Sequence, residues 1–382
     1  MPEPPRQPVF FFAGGGTGGH LYPGLAIAEE LRARVPDSRC IFLCSDRAID
    51  SKILGAAGAE FVVIPAKPPV LRPRAMLRFL GSWGKSLRAA RGVIANARRA
   101  NPGTSVVMTT MGGFVAAPCA RAAHAECVPV AMVNLDAVPG KANRMIARSA
   151  KIRLSATGDG GSESEVPRGW EWLPPIVRRA ALPKATREDC RVRLGLDPSR
   201  STLLITGGSQ GAGSINNLMA ALAASRASIF NGWQLFHQCG EGAEADLRAA
   251  YESSGIAAKV VPFCNDMGSA WGAADLAISR SGAGTVGEAW AAGVPCVFMP
   301  YPYHRDQHQR INALPLVKAG GSLVVKDEID AARNVESMAP ILEELLQSES
   351  KRATMHAAMR SLGPADGATR IADRLLQLAQ SS

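Results

Sequence analysis

The sequence predicts an α/β protein, two doubly wound Rossmann-like domains of parallel sheet and helix with a cleft between them. Three observations lead there. A short apolar run, Pro8–Ala13, passes straight into Gly14-Gly-Gly-Thr-Gly-Gly-His20 and then into a helical pattern, the order expected of a strand whose turn opens a helix. The same succession begins again at mid-chain, with Thr202–Thr206, Gly207-Gly-Ser-Gln-Gly-Ala-Gly213 and the helical Ser214–Ala224. A third unit reads strand, turn, helix, strand: Asp275–Ser279, Ser281-Gly-Ala-Gly-Thr285, Val286–Ala292 ending at Gly293, and Val294–Pro300. Repeated βαβ units of this kind build parallel sheets covered on both faces.

The remaining elements follow in order. Pro23–Arg34 carries Leu25, Ala28 and Leu31 at helical spacing, which leaves His20 as the last residue of the first glycine loop. Cys40–Cys44 is the second strand, with Ser45-Asp46 just beyond it, so that the acid a dinucleotide-binding unit places there is not excluded. Leu71–Ala97 reads as one or two helices, Val106–Thr109 and Val128–Val133 as strands, and Asn143–Ala150 as a helix. The turns Met111-Gly-Gly-Phe114 and Asn134–Gly140 fall at strand C-termini, where open α/β sheets bind ligands. Between Thr157 and Arg179 glycines, serines, acids and prolines mark a junction, giving domains at 1–177 and 178–382. Gln234–Gln238 and Lys259–Phe263 are strands, and Ser350–Gln380 is helical, its last helix a candidate to pack back on the first domain.

Composition narrows the function classes. A chain of 382 residues with 47% hydrophobic residues can bury a sizeable core. Its apolar runs are too short to span a bilayer, and its N-terminus has prolines instead of a basic segment before an apolar one, so neither a membrane span nor a signal peptide is expected. Eight scattered cysteines without metal-ligand spacing suggest reduced thiols in the cytosol. The net charge of +10 is uneven: residues 1–177 hold 22 Lys and Arg against 13 Asp and Glu, and residues 178–382 hold 21 against 20. No acid occurs between Glu60 and Glu126, where ten cations do, and that stretch carries the excess. Leu77, Phe79, Leu80 and Trp83, interleaved with Arg72, Arg74, Arg78 and Lys85, can settle on an anionic bilayer surface, or can form a core helix with a solvated basic face. Nucleic acid is disfavoured as the polyanion by the glycine loops and the near-neutral second half.

The chemistry-bearing residues cluster at the loops. Gly282 and Gly284 let a ligand approach the backbone at a helix start that favours phosphate, and Glu288 one turn on can accept hydrogen bonds from sugar hydroxyls, or simply be solvated. His304–Asn312 is denser in hydrogen-bonding side chains than a connection requires, as expected of a loop for a polyhydroxylated ligand. Gly14, Gly16 and Gly19 formally match a dinucleotide fingerprint, a weak signal alone. His20 has no place in a pyrophosphate cradle, whereas its near-neutral pKa suits a proton-abstracting site; the alternative is a helix-capping role.

Taken together, Gly15–His20, Met111–Phe114, Gly207–Ala212, Ser281–Glu288 and Asp306–Ala313 resemble, in order and across nearly the whole chain, the MurG family of peptidoglycan-synthesis transferases. The resemblance implies a GT-B fold and metal-independent, inverting transfer of N-acetylglucosamine from UDP-N-acetylglucosamine to undecaprenyl-pyrophosphoryl-muramyl-peptide (lipid I), giving lipid II, with no cofactor. It implies an acceptor- and membrane-binding first domain and a UDP-sugar-binding second one. Donor contacts then fall on Thr17, Gly18, Gly19, Arg178, Ser209, Glu288 and Gln309, with Cys264 and Met267 flanking the base. Asn143, Gln210, Gly211, Gly284, Thr285 and Asn312 join the substrate-binding set. His20 is the expected base, with Asp136 as the alternative. The protein is expected as a peripheral protein on the cytoplasmic face of the plasma membrane, beside other cell-wall synthesis proteins.

Two segments depart from the family pattern. Where the family has His-Glu-Gln-Asn, this chain has Val133-Asn-Leu-Asp136, and Pro175-Ile-Val-Arg178 replaces an Asn-Pro-Val-Arg-like segment, leaving Arg178 and Arg179 both open as the donor contact. Two alternatives follow: a transferase of the same donor class with another membrane acceptor, or a non-catalytic nucleotide-sugar-binding relative, against which the retained His20 argues. A dehydrogenase would leave the second glycine loop and His304–Asn312 without a role.

Overall fold

The computed structural model describes residues 7–16, 18–68, 73–157, 166–208, 211–304 and 306–381, with the side chains of 73–75 outside that description. The chain divides into two units, Met1–Arg178 with Asp366–Ser382, and Arg179–Ala365.

In the first unit the elements are β1 (Val9–Ala13), α1 (Gly18–Arg34), β2 (Arg39–Cys44), α2 (Ala48–Ala56), β3 (Glu60–Val63), α3 (Pro73–Ala100), β4 (Val106–Thr110), α4 (Gly113–Ala125), β5 (Val130–Asn134), α5 (Lys141–Ile146), β6 (Ile152–Ser155) and β7 (Glu171–Trp172). The strands form one sheet in the order β3-β2-β1-β4-β5-β6-β7, and every pairing is parallel. β1 is buried throughout because both its faces are covered. Phe10 and Phe12 pack with Leu25 and Leu31 of α1, whereas Val9, Phe11 and Ala13 pack with Ala90 and Ile94 of α3 and Val115 of α4. Residues two apart therefore serve the same core, as strand geometry requires.

The second unit holds α6 (Arg187–Arg193), β8 (Ser201–Thr206), α7 (Gly213–Arg226), β9 (Trp233–Gln238), α8 (Glu244–Ser253), β10 (Ala258–Val261), α9 (Met267–Ala273), β11 (Leu276–Ser279), α10 (Ala283–Ala292), β12 (Cys296–Phe298), α11 (His308–Lys318), β13 (Ser322–Val324), α12 (Ala331–Gln347) and α13 (Glu349–Ser361). Its sheet runs β10-β9-β8-β11-β12-β13, again all parallel. The last helix, α14 (Gly367–Gln380), belongs to the first unit, where Ile371, Ala372 and Leu375 join the core beside α1.

The fold class is the expected one, and the departures are local. Leu71–Ala97 contains a single helix, α3, of 28 residues. Ser350–Gln380 is not continuous: Gly363, at φ +77°, and Pro364 separate α13 from α14. The helix after the first loop starts at Gly18 and includes Pro23, so His20 is a first-turn residue and not the end of the loop. Pro23, in the second turn, lacks the amide that would bond the Gly19 carbonyl, a loss of one helical hydrogen bond close to the helix start.

In both sheets the strand order reverses beside the first strand of the unit, between β1 and β4 and between β8 and β11. Loops leaving such neighbours in opposite directions open a crevice at the C-terminal rim. The motif segments 14–16 and 111–112 meet that point in the first unit, and 207–208, 211–212 and 280–282 meet it in the second.

Candidate active site

In the first unit the site is built around His20. Gly112 and Gly113 lie at φ +92° and +77°, and a Cβ on either would stand 3.3 Å from His20 ring atoms, Nε2 for Gly112 and Nδ1 for Gly113. Only glycine admits both that backbone and that approach, which accounts for the pair in Met111–Phe114. The ring hydrogen-bonds the backbone of Gly15, whose carbonyl oxygen also lies beside Gly113. Nδ1 and the Gly15 carbonyl lie beside the same Gly113 position, whereas Nε2 is on the Gly112 side. Burial holds the imidazole below its ordinary pKa, opposed by Asp136, the Gly15 bond and Asp50 in turn. His20 is therefore neutral at pH 7 and can take a proton.

Beside it, the Asn143 side chain donates through Nδ2 to Asn134 Oδ1 at 3.2 Å, while its own Oδ1 is buried without a hydrogen-bond partner among the described residues. That oxygen lies 3.3 Å from the same Gly112 Cβ position as His20 Nε2. An unanswered buried acceptor next to a base calls for a donor from a ligand, such as a hydroxyl or acetamido N–H. Asn134, standing in the altered loop, is buried and donates to the Asp136 carbonyl at 2.6 Å and to Ser155 Oγ at 3.0 Å. The altered segment is thus a hydrogen-bonded scaffold that seats Asn143 and carries Asp136 within electrostatic reach of His20.

Sequence reasoning missed Asp50. Its buried carboxylate accepts from Gly16 N at 2.8 and 3.0 Å, Ser45 N at 2.9 Å and Ser45 Oγ at 2.6 Å. Asp46, the acid considered after the second strand, is exposed and paired with Lys67. A carboxylate on the Gly16 amide puts negative charge where a bound pyrophosphate would need donors, so the dinucleotide reading of Gly14, Gly16 and Gly19 fails. The only sequence signal was an acid shortly after a buried strand, four residues beyond the position considered.

The second unit supplies the opposite electrostatics. The loop after β8 is held from below: Gln238 donates to the Gly208 carbonyl at 2.8 Å and accepts from Cys264 N at 3.2 Å, and Asn216 donates to the Cys239 carbonyl at 2.9 Å. A Cβ on Gly211, at φ +72°, would lie 2.2 Å from that carbonyl, so the loop must be glycine there. His237 bridges Asn216 Oδ1 at 3.1 Å and the Tyr251 hydroxyl at 2.8 Å. Because Asn216 donates to Cys239, its oxygen faces His237, which donates from Nε2 and accepts from tyrosine at Nδ1. Burial pushes His237 down to about 3, keeping it neutral. The outcome is a fixed α7 start whose first amides have no intrahelical partner, a cradle for an anion.

Around this loop, Glu288 on α10 accepts from Trp271 Nε1 at 2.8 Å through Oε2, and burial raises its carboxyl to about 7 despite that bond. Gly284 and Thr285 form the exposed and half-buried first turn of the same helix. Gln309 on α11 accepts from Tyr301 N at 2.8 Å, and the buried Asn312 reaches the Ser281 carbonyl at 3.4 Å. Met267 is half-buried at the start of α9, and Cys264 is buried in the adjoining core with its thiol pKa raised by burial. Arg178 lies in the first unit, ion-paired with Glu29 at 3.3 Å and set over the Tyr22 ring, while Arg179 opens the second unit and is exposed. Gly18 and Gly19 form the first turn of α1. Thr17, Ser209, Gln210 and Arg72 lie outside the described residues, as does the side chain of Arg74.

On α3 the apolar quartet divides. Leu77 and Leu80 are 69% and 60% exposed, whereas Phe79 and Trp83 are half-buried, their rings 5.9 Å apart, with Trp83 against the core. Arg78, Lys85 and Arg88 are exposed and have no ion-pair partner among the described residues, while Arg91 pairs with Glu126 at 2.6 Å. No described helix is long and apolar enough to cross a membrane.

Comparison with known proteins places this arrangement. Residues 10–153 match the glycosyltransferase family 28 N-terminal domain and residues 202–374 its C-terminal domain. The UDP-N-acetylglucosamine--N-acetylmuramyl-(pentapeptide) pyrophosphoryl-undecaprenol N-acetylglucosamine transferase of Clavibacter michiganensis is 37% identical over 96% of this chain and 95% of its own. The protein of that description from Chlorobaculum tepidum is 35% identical over 97% and 99%. Among solved structures, Acinetobacter baumannii MurG superposes with a TM-score of 0.72 at 25% identity, covering 98% of this chain and 100% of that one. The Streptomyces nogalater glycosyltransferase SnogD, at 19% identity and a TM-score of 0.66 over 98% of this chain and 100% of its own, shares the fold. With two parallel-sheet units, a neutral histidine at one switch point and an amide-lined loop at the other, the chain belongs to the MurG family of glycosyltransferase family 28.

Proposed function

We propose that this chain transfers N-acetylglucosamine from UDP-N-acetylglucosamine to lipid I with inversion, working as a peripheral protein on the cytoplasmic face of the plasma membrane. His20 takes the proton of the acceptor sugar hydroxyl as that oxygen bonds the donor's anomeric carbon. The bond from that carbon to the diphosphate breaks, and UDP departs with the electron pair. The first-turn amides of α7 meet the charge that develops on the diphosphate. Glu288 takes ribose hydroxyls and Gln309 the transferred sugar. Asn143 Oδ1 receives a donor group of the acceptor, and Leu77 and Leu80 with Arg78 and Lys85 bring the first unit to the bilayer that holds the lipid.

The observation that carries the reading is the pairing of a neutral imidazole with an unanswered buried acceptor at Asn143, in a family whose named relatives transfer this sugar. A binder without turnover has no need of such a base. The test is radiolabelled UDP-N-acetylglucosamine with lipid I, and separately with other polyprenyl-linked acceptors, in detergent. Label should enter lipid I and remain absent from the others. Transfer only to another acceptor would give the altered Val133–Asp136 segment a role in changed specificity, and no transfer at all would overturn the enzymatic reading.

A further inference from the structure

We propose that Arg280 is a positioning residue for the donor diphosphate that acts through Ser214, with the buried Asp327 as the carboxylate that locks the pair in place. The inference rests on the donor reading of the 207–213 loop.

Arg280 follows β11 at the switch point of the second sheet, where a cation is most simply read as a direct phosphate ligand. Its hydrogen bonds argue otherwise. One guanidinium nitrogen donates to the carbonyls of Met299 at 2.8 Å and Pro300 at 3.1 Å and lies 2.8 Å from Asp327 Oδ2; another donates to Ser214 Oγ at 2.7 Å. The side chain is 11% exposed, and the guanidinium sits 5.7 Å from the centre of the Tyr301 ring. Four protein acceptors therefore engage both terminal nitrogens, three of them crowding the two N–H groups of one, so a ligand would have to share these nitrogens with the network that holds them.

Asp327 is the counterpart. Fully buried, it accepts from Ser214 Oγ at 2.5 Å, Asn334 Nδ2 at 3.0 Å and Ile329 N at 2.8 Å, besides facing Arg280. The Ser214 hydroxyl thus donates to Asp327 and accepts from Arg280, which fixes its rotamer. Ser214 is the second residue of α7, and on the other flank of the same turn Asn216 is bolted to Cys239 and His237. The first turn is pinned from both sides, so its amides meet the diphosphate without first having to be ordered.

The experiment measures UDP and uridine binding to the full chain by calorimetry for wild type, Ser214→Ala, Arg280→Lys, Asp327→Asn and the Ser214→Ala/Arg280→Lys pair. Each single variant should weaken UDP about tenfold, the scale of one lost hydrogen bond to a charged group, and leave uridine within about twofold. The double variant should bind UDP as Arg280→Lys does, since both changes break one linkage. Losses that multiply in the double variant would show Arg280 reaching the diphosphate independently and overturn the proposal. Equal losses for uridine would reduce the network to general stability and overturn it too. Wild type binding UDP no better than uridine would instead defeat the donor reading itself. Should Asp327→Asn not fold, the Ser214 and Arg280 variants carry the test alone.

Discussion

At the residue scale the two units differ in the charge they hold ready. Glycine loops look alike in sequence, but Asp50 fills the first with a carboxylate, whereas the second opens α7, whose first amides have no intrahelical partner. That difference was not legible, because Asp50 meets Gly16 across 34 residues and no local pattern records the contact. The Arg280, Ser214 and Asp327 network was hidden for the same reason, with up to 113 residues between partners. His20 drew attention in the sequence because it closes a run of glycines, and the structure places it in the first turn of α1 with its imidazole pKa lowered by burial. Burial lowers its pKa, so kcat/KM should lose activity on an acid limb lying below pH 6.5. Asp136 stabilises the imidazolium, so Asp136→Asn should move that limb to still lower pH, while His20→Ala lowers kcat by about 10²-fold. Abolished activity at every pH in Asp136→Asn, with His20→Ala active, would make the carboxylate the base. Glu288, raised to about 7, gives a second titration. Its ionised form is the better acceptor for ribose hydroxyls, so donor affinity should strengthen as pH rises through about 7 and flatten in Glu288→Gln. Glu288→Ala should raise the donor KM about tenfold, and a pH-independent wild-type affinity would remove Glu288 from the ribose.

At the element scale, what the sequence announced was strands and the turns after them. Fully buried parallel strands are short apolar runs, and glycines end them where the chain must turn, so β1, β8 and β11 stand out. α4 did not, because its buried face is mostly alanine and leaves no large-residue periodicity. α3 was legible as an amphipathic helix but not in which face it hides. Packing takes Trp83 and part of Phe79, leaving Leu77 and Leu80 outward beside Arg78 and Lys85, which have no ion-pair partner among the described residues. Exposed leucines next to cations fit a bilayer interface, where each cation contributes about 1 kcal/mol and each leucine up to about 1.5–3 kcal/mol if fully buried there. Leu77→Ser/Leu80→Ser should therefore weaken co-sedimentation with anionic vesicles at any salt concentration. Arg78→Ser/Lys85→Ser should weaken it chiefly at low salt, by about 30-fold for two cations. Both variants should bind UDP as wild type does, and vesicle binding unaffected by either pair would place the membrane contact elsewhere.

At the scale of the whole molecule, the two-unit plan was visible as a pattern that starts twice, but the ownership of the C-terminus was not fixed by any motif. The chain leaves the first unit at Arg178 and returns at Asp366, and α14 inserts Ile371, Ala372, Leu375 and Leu378 into the core beside Leu25 and Leu31 of α1. Ion pairs add to the seam: Arg34 reaches Asp373 at 2.8 Å, and Arg374 reaches Glu171 at 3.0 Å. These pairs are partly exposed and worth little singly, so burial of the apolar stripe has to hold the helix. Leu375 has no exposed surface, and truncating it to alanine should cost about 2–5 kcal/mol, the range for a buried leucine whose site cannot collapse. The loss should be local in a definite way. Hydrogen exchange in Leu375→Ala should accelerate at the amides of β1, β2 and α1, although α14 lies more than 300 residues away in sequence, while β8, β11 and α7 keep wild-type protection. Conversely, Leu342→Ala on α12, equally buried but in the core of the second unit, should loosen β8 and α7 and leave β1 protected. Equal acceleration of both sheets by either substitution would mean that the two units unfold as one, and would remove the division at Arg178 and Asp366 as a boundary of stability.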